Sequence, residues 1–154
     1  MDFPSQLLAR ELDSSLPRRN QQRDVEAWQL SVDIDLELAR NTEVNVLIAG
    51  PEAGAEELLR RLLPRAANDV VVTCHDGQLR LPSPIVAVGT VVLREVDALS
   101  SAEQFQLLQW LEAPADRGPI VSTATVPLLP LVEAGMFSEA LFYRLNTIYI
   151  DLFE

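Results

Sequence analysis

Apolar residues between positions 24 and 40 recur at steps of three and four: Val25, Trp28, Val32, Leu36 and Ala39. That spacing predicts an amphipathic helix over 24–40. The pattern then changes. Residues 44–49 form a mainly apolar run, as expected of a strand covered on both faces. A helix is predicted over 56–63, where Pro64 stops it. A second strand is predicted over 69–74 and a third over 90–93. Ser100 or Ser101 should then cap a helix running to Leu111, with Phe105, Leu107, Leu108 and Leu111 as its buried stripe. A fourth strand over 120–124, short helices over 127–134 and 137–145, and a fifth strand over 147–150 complete the series. Strands alternating with helices imply an α/β fold with a parallel sheet. Residues 1–20 are polar, with Pro4 and Pro17, and read as a loose arm ahead of one α/β domain over 21–154.

Composition narrows the function classes. A length of 154 residues suits one domain, and 48% hydrophobic content can build its core. The net charge of −11 opposes direct binding to nucleic acid or anionic membrane, which need cationic faces. No apolar run is long enough to span a bilayer. The single cysteine, Cys74, allows no internal disulfide and fits a cytoplasmic setting. Cys74 stands beside His75 and Asp76, but with no second Cys or His a tetrahedral zinc site would be incomplete. A buried strand-end thiol is the expectation, and no metal is expected.

The candidate chemistry lies between the first strand and the helix after it. The turn reads Gly50-Pro51-Glu52-Ala53-Gly54-Ala55-Glu56-Glu57. This is the strand–loop–helix layout of a phosphate-binding P-loop, G-x-x-x-x-G-K-[ST]. Gly50 holds the first glycine position and Ala55 the second. Glu56 stands at the lysine and Glu57 at the hydroxyl that binds Mg²⁺. One charge pair at ~4 Å and an effective dielectric of ~20 is worth roughly 4 kcal/mol. Glu for Lys turns one such attraction into a repulsion. The helix N-terminus offers only about 0.3–2 kcal/mol in return.

Further landmarks follow in a recognisable order. Residues 70–74 end in Thr73-Cys74, and Gly89-Thr90-Val91-Val92-Leu93-Arg94-Glu95-Val96-Asp97 resembles GTLFLDEID, a Walker B segment. Residues 103–111 are similar to a Q-x-x-L-L-R-x-L helix, and residues 135–146 to GRFREDLYYRLN. Together these resemble the AAA+ core of bacterial enhancer-binding proteins, the sigma-54-dependent transcription activators. The resemblance covers roughly residues 24 to 152. It implies a three-layer P-loop sheet of five parallel strands in the order 5-1-4-3-2. It also places Arg94 at the Walker B aspartate, Glu95 at the water-polarising acid and Thr125 at the sensor asparagine. Of two arginines proposed as trans-acting fingers, one position is Ser138 and the other is kept as Arg144. Only a short connection joins Cys74 to Gly89, where the family carries its sigma-54-contacting GAFTGA loop. The sequence ends at Glu154, just after the fifth strand, so a core without the family's helical lid is expected.

These departures make Gly50, Gly54, Ala55, Glu56, Glu57, Arg94, Glu95 and Thr125 a degenerate nucleotide site with no cofactor. Glu56 and Arg94 invert the signs of a lysine and an aspartate that lie close in the family, so they either pair with each other or are both solvated. Glu95 is expected to be a residual structural acid. The resulting expectation is a catalytically inactive AAA+-like module. It would act by protein contact in transcriptional regulation, with itself or a full-length relative, as a homodimer. The alternative is a regulatory domain with weak nucleotide binding and little or no hydrolysis. Arg144, Leu81, Ile85, Val86, Leu152 and Phe153 are the interface candidates, although an Arg at a helix end, such as Arg144, is more often solvated or paired locally.

Overall fold

A computed structural model describes residues 17–63, 69–74, 77–83, 88–114 and 118–153. The chain divides into two compact units, residues 1–35 and 36–154. What is described of the first belongs to helix α1, Pro17–Asn41, whose last turns fall in the second. Residues 17–20, expected in a loose arm, are helical. Pro17 suits a helix start, because its missing N–H would be unpaired there anyway. Of the expected apolar face, Val32 and Leu36 are buried, Trp28 and Ala39 are half-buried, and Val25 is exposed.

The second unit holds a five-stranded sheet in the order β2-β3-β4-β1-β5, all parallel, as the resemblance implied. The strands are β1 Val46–Ala49, β2 Val70–Thr73, β3 Val91–Arg94, β4 Ile120–Ala124 and β5 Ile148–Asp151. Register carries one row of side chains across the sheet: Ile148, Val46, Val121, Val92 and Val71. The three inner strands β1, β3 and β4 are buried almost throughout, and Val71 on edge strand β2 is exposed. Continuous apolar strands covered on both faces behave this way.

Helix α2 spans Glu52–Leu62 and buries Ala55, Leu58, Leu59 and Leu62. Helix α3, Ser101–Glu112, starts on a capping box: the Ser100 hydroxyl accepts from the Glu103 N–H, and the Glu103 carboxylate accepts from the Ser100 N–H. Its buried positions are Gln104, Leu107, Trp110 and Leu111. Phe105 therefore falls off the stripe expected for it and is 61% exposed, while Leu108 is half-buried. The face turned by one residue because Gln104 is used as a clamp. Its amide donates to the carbonyls of Leu99 and Met136 and accepts from the Ser138 N–H, each at 2.8–3.1 Å. Short helices α4, Leu128–Glu133, and α5, Glu139–Leu145, follow β4, with the Ser138 hydroxyl capping α5.

Candidate functional site

The carboxyl ends of parallel strands are where open α/β sheets place their ligand crevices. Here a cleft of about 80 Å³ opens at those ends, lined by Gly50, Glu52, Ala55, Glu56, Thr73, Arg94, Glu95, Thr123, Ala124 and Thr125. Pockets for drug-sized ligands run to about 300–1,000 Å³. Its walls carry three carboxylates, Glu52, Glu56 and Glu95, against one guanidinium, Arg94.

The β1 side departs from a phosphate loop in its backbone. Helix α2 begins at Glu52, four residues before the expected Glu56. Residues 52–57, expected to start in a turn, are helical, and the Ala55 N–H already donates to the Pro51 carbonyl at 3.0 Å. A phosphate loop works through backbone N–H groups aimed at the anion. From Ala55 onward those groups serve the helix. The residues explain this. Pro51 fixes φ ahead of the first turn, Glu52 complements the positive helix end, and Ala53, Ala55, Glu56 and Glu57 all tolerate helical geometry.

Glu56 lies one turn into α2 and meets Arg94 at the end of β3. Arg94 Nη2 donates to Glu56 Oε2 at 3.1 Å. The expected pairing is thus present. The side chains are 40% and 34% exposed, respectively. Solvent screening limits a pair at that exposure to roughly 0.2–1 kcal/mol. Arg94 Nε is buried and has no hydrogen-bond partner among the described residues. Glu57 points elsewhere and pairs with Arg60 at 3.2 Å on the exposed face of α2.

The β3–β4 side is tied by hydroxyls. Glu95 has φ 60° and ψ 54°, the left-handed region that residues with a Cβ avoid. Its N–H donates to Thr123 Oγ1 at 3.1 Å. Two residues on, the Asp97 carboxylate accepts from both the Thr125 N–H, at 2.9 Å, and Thr125 Oγ1, at 2.6 Å. Thr125 is thereby fastened to the neighbouring loop. Glu52, Thr73, Asp97 and Thr123 were missed in the sequence. The signal for Thr123 was available, since Ser122-Thr123 interrupts an otherwise apolar buried strand.

The interface candidates that are described differ in exposure. Leu152 is half-buried and packs onto the loop glycines, where a Cβ added to Gly50 would stand 2.5 Å from Leu152 Cβ. Leu81 is partly buried against the core cluster. Phe153 is 43% exposed. Arg144 Nη2 lies 3.9 Å from Glu112 Oε1, with both side chains about half exposed. Ile85 and Val86 fall outside the described residues, as do His75 and Asp76. Cys74 is a buried thiol at the end of β2.

The sequence profile of the sigma-54 interaction domain matches residues 29–154. The chain belongs to this family. HrpR of Pseudomonas syringae pv. syringae, a probable regulatory protein of a pathogenicity locus, is 34% identical over 76 residues, 42% of this chain and 24% of HrpR. NtrX from Brucella abortus, solved in complex with ATP, aligns with a TM-score of 0.62 at 18% identity, over 97% of this chain and 43% of NtrX. The P-loop NTPase domain of a sigma-54 activator from E. coli aligns with a TM-score of 0.53 at 18% identity, over 81% of this chain and 94% of that domain. The chain thus spans less than half the length of HrpR and NtrX. The two structural likenesses establish the P-loop NTPase-like fold. Among the described residues, no helix is long and apolar enough to cross a membrane.

Proposed function

We propose that residues 21–154 form a sigma-54 interaction domain without ATPase activity, which acts in transcriptional regulation by contact with protein. One observation carries this reading: the position of a phosphate-binding lysine holds Glu56, already engaged by Arg94 at 3.1 Å, on a helix that has replaced the loop. Arg94 also stands where the Walker B aspartate would hold Mg²⁺. Metal, phosphate and loop geometry are each affected by a separate residue, so no single reversal restores turnover. Glu95 keeps its place, but with no phosphate or metal before it there is nothing to activate.

A regulatory role by contact needs a partner. The same chain is the proposed partner, as a two-fold dimer in the cytoplasm, that being the commonest closed assembly. Leu30, Ile34 and Leu38 recur at four-residue steps on α1 and are all exposed. An apolar strip left in water supports a contact there. The net charge of −11 argues against nucleic acid as the direct partner. A phosphate-release assay with ATP and Mg²⁺ should give the rate of the buffer alone. Sedimentation should give twice the 17.1 kDa chain mass. Turnover that Glu56→Ala abolishes would overturn the first statement. A clean monomer at tens of micromolar would overturn the second.

A further inference from the structure

The retained glycines of the degenerate loop have a use that phosphate does not explain. Neither Gly50 nor Gly54 has positive φ; among the described glycines only Gly77 and Gly135 do. No left-handed turn therefore requires glycine at 50 or 54. Contact with Leu152 does. A Cβ on Gly50 would stand 2.5 Å from Leu152 Cβ and 3.0 Å from its Cδ1, and a Cβ on Gly54 would stand 3.2 Å from Cδ1. The first distance is shorter than packed carbon atoms allow, and the second is tight.

The backbone holds Leu152 in that place. Just beyond β5, the Leu152 N–H donates to the Ala49 carbonyl at 2.8 Å, which extends the β1–β5 ladder by one bond. On the other side of β1 the Gly50 N–H donates to the Ala124 carbonyl at 2.9 Å. The end of β1 is thus gripped from both neighbouring strands. The first turn of α2 then lies against the Leu152 side chain. Gly54 sits two residues into that turn, so its contact with Leu152 exists in the helical path of residues 52–55. A loop wrapped around an anion would have to leave that path.

We propose that Leu152 is a latch on the first turn of α2, and that Gly50 and Gly54 form its seat. The latch holds residues 52–55 in the helical form. Fastening the turn from the β5 side also fixes Glu56 at the distance where it meets Arg94. The inference goes beyond the proposed loss of ATPase activity, and the two fail separately: the latch is read from exchange and melting without nucleotide, the activity from phosphate release.

Two measurements on the full chain test it. Amide hydrogen exchange compares the wild type with Leu152→Ala. The Ala55 amide should exchange at least about tenfold faster in the variant, while Leu107 and Leu111 in α3 keep their protection. Thermal melting then follows Gly54→Ala in both backgrounds. Alanine normally improves a helix at such a position, by roughly 2–4 °C in a chain of this size. With Leu152 present that gain should vanish or reverse, and with Leu152→Ala it should appear. Unchanged exchange at Ala55 would overturn the latch. So would an equal gain from Gly54→Ala in both backgrounds. Gly54→Ala is preferred to Gly50→Ala because its added Cβ meets only the far end of the Leu152 side chain, whereas one at Gly50 also meets Leu152 Cβ.

Discussion

On the β3–β4 side of the cleft the strands end at Arg94 and Ala124, and side chains close the gap between them. Thr123 accepts from the Glu95 N–H, and Asp97 holds Thr125 by two bonds. On the β1 side the polar side chains lie at the rim, and the backbone is what departs from the motif. Residues 52–57 are helix, and two glycines serve contact with Leu152. One side keeps a strand-end geometry and ties Glu95 and Thr125 by internal hydrogen bonds. The other keeps the letters of a glycine motif and spends them on packing. Glu56 and Arg94 join the two sides through a screened ion pair. A site can therefore differ from a sequence motif in side-chain chemistry and in backbone path at once, and the motif itself reports mainly the first.

The contrast is breakable, starting with its largest effect. Gly50→Ala should cost about 1–3 kcal/mol by overpacking against Leu152, read as a lower midpoint in urea at unchanged slope. A neutral result would mean that the β1 side is looser than the distances state. On the opposite side, Thr123→Val removes the acceptor for a part-buried N–H and should cost about 1 kcal/mol. A loss at Thr123 well above that at Gly50 would reverse the ranking of packing over hydrogen bonding.

Smaller effects sharpen the picture. Glu95→Gly should stabilise by about 0.5 kcal/mol, since glycine adopts the left-handed conformation without penalty but loses more chain entropy on folding. Glu95→Ala keeps the strain and should show no gain. If both variants are equally destabilising, the Glu95 carboxylate has a structural contact that outweighs the backbone term. Last, a double-mutant cycle with Glu56→Lys and Arg94→Asp should give a coupling below about 1 kcal/mol, reduced further by salt. Strictly additive losses would mean that the pair contributes nothing.

Much of this fold was legible because its strands are apolar on both faces. Residues 120–124 match β4 to the residue, and the other strand ends shift by two positions at most. The strand order and the Glu56–Arg94 contact came through the family resemblance. Other features were hidden for physical reasons. Helical periodicity locates a stripe to within about one residue, so Phe105 and Gln104 were exchanged. The glycine motif was read as a turn, although Pro51, Glu52 and Ala53 signal a helix start, and the helix forms earlier as a result. Leu152 reads as an interface residue because its contact with a glycine pair distant in the chain leaves no periodic trace. The Asp97–Thr125 tie joins residues 28 apart across two strand ends, a proximity that only the sheet order creates.

Titration calorimetry with ATP and Mg²⁺ addresses the proposed loss of the phosphate site most directly. Glu56 in place of lysine, the helical path of residues 52–57 and Arg94 at the metal position together predict no saturable heat up to millimolar nucleotide. A binding isotherm with a micromolar Kd, weakened by Arg94→Ala, would contradict it and show that the cleft opens to accept a nucleotide.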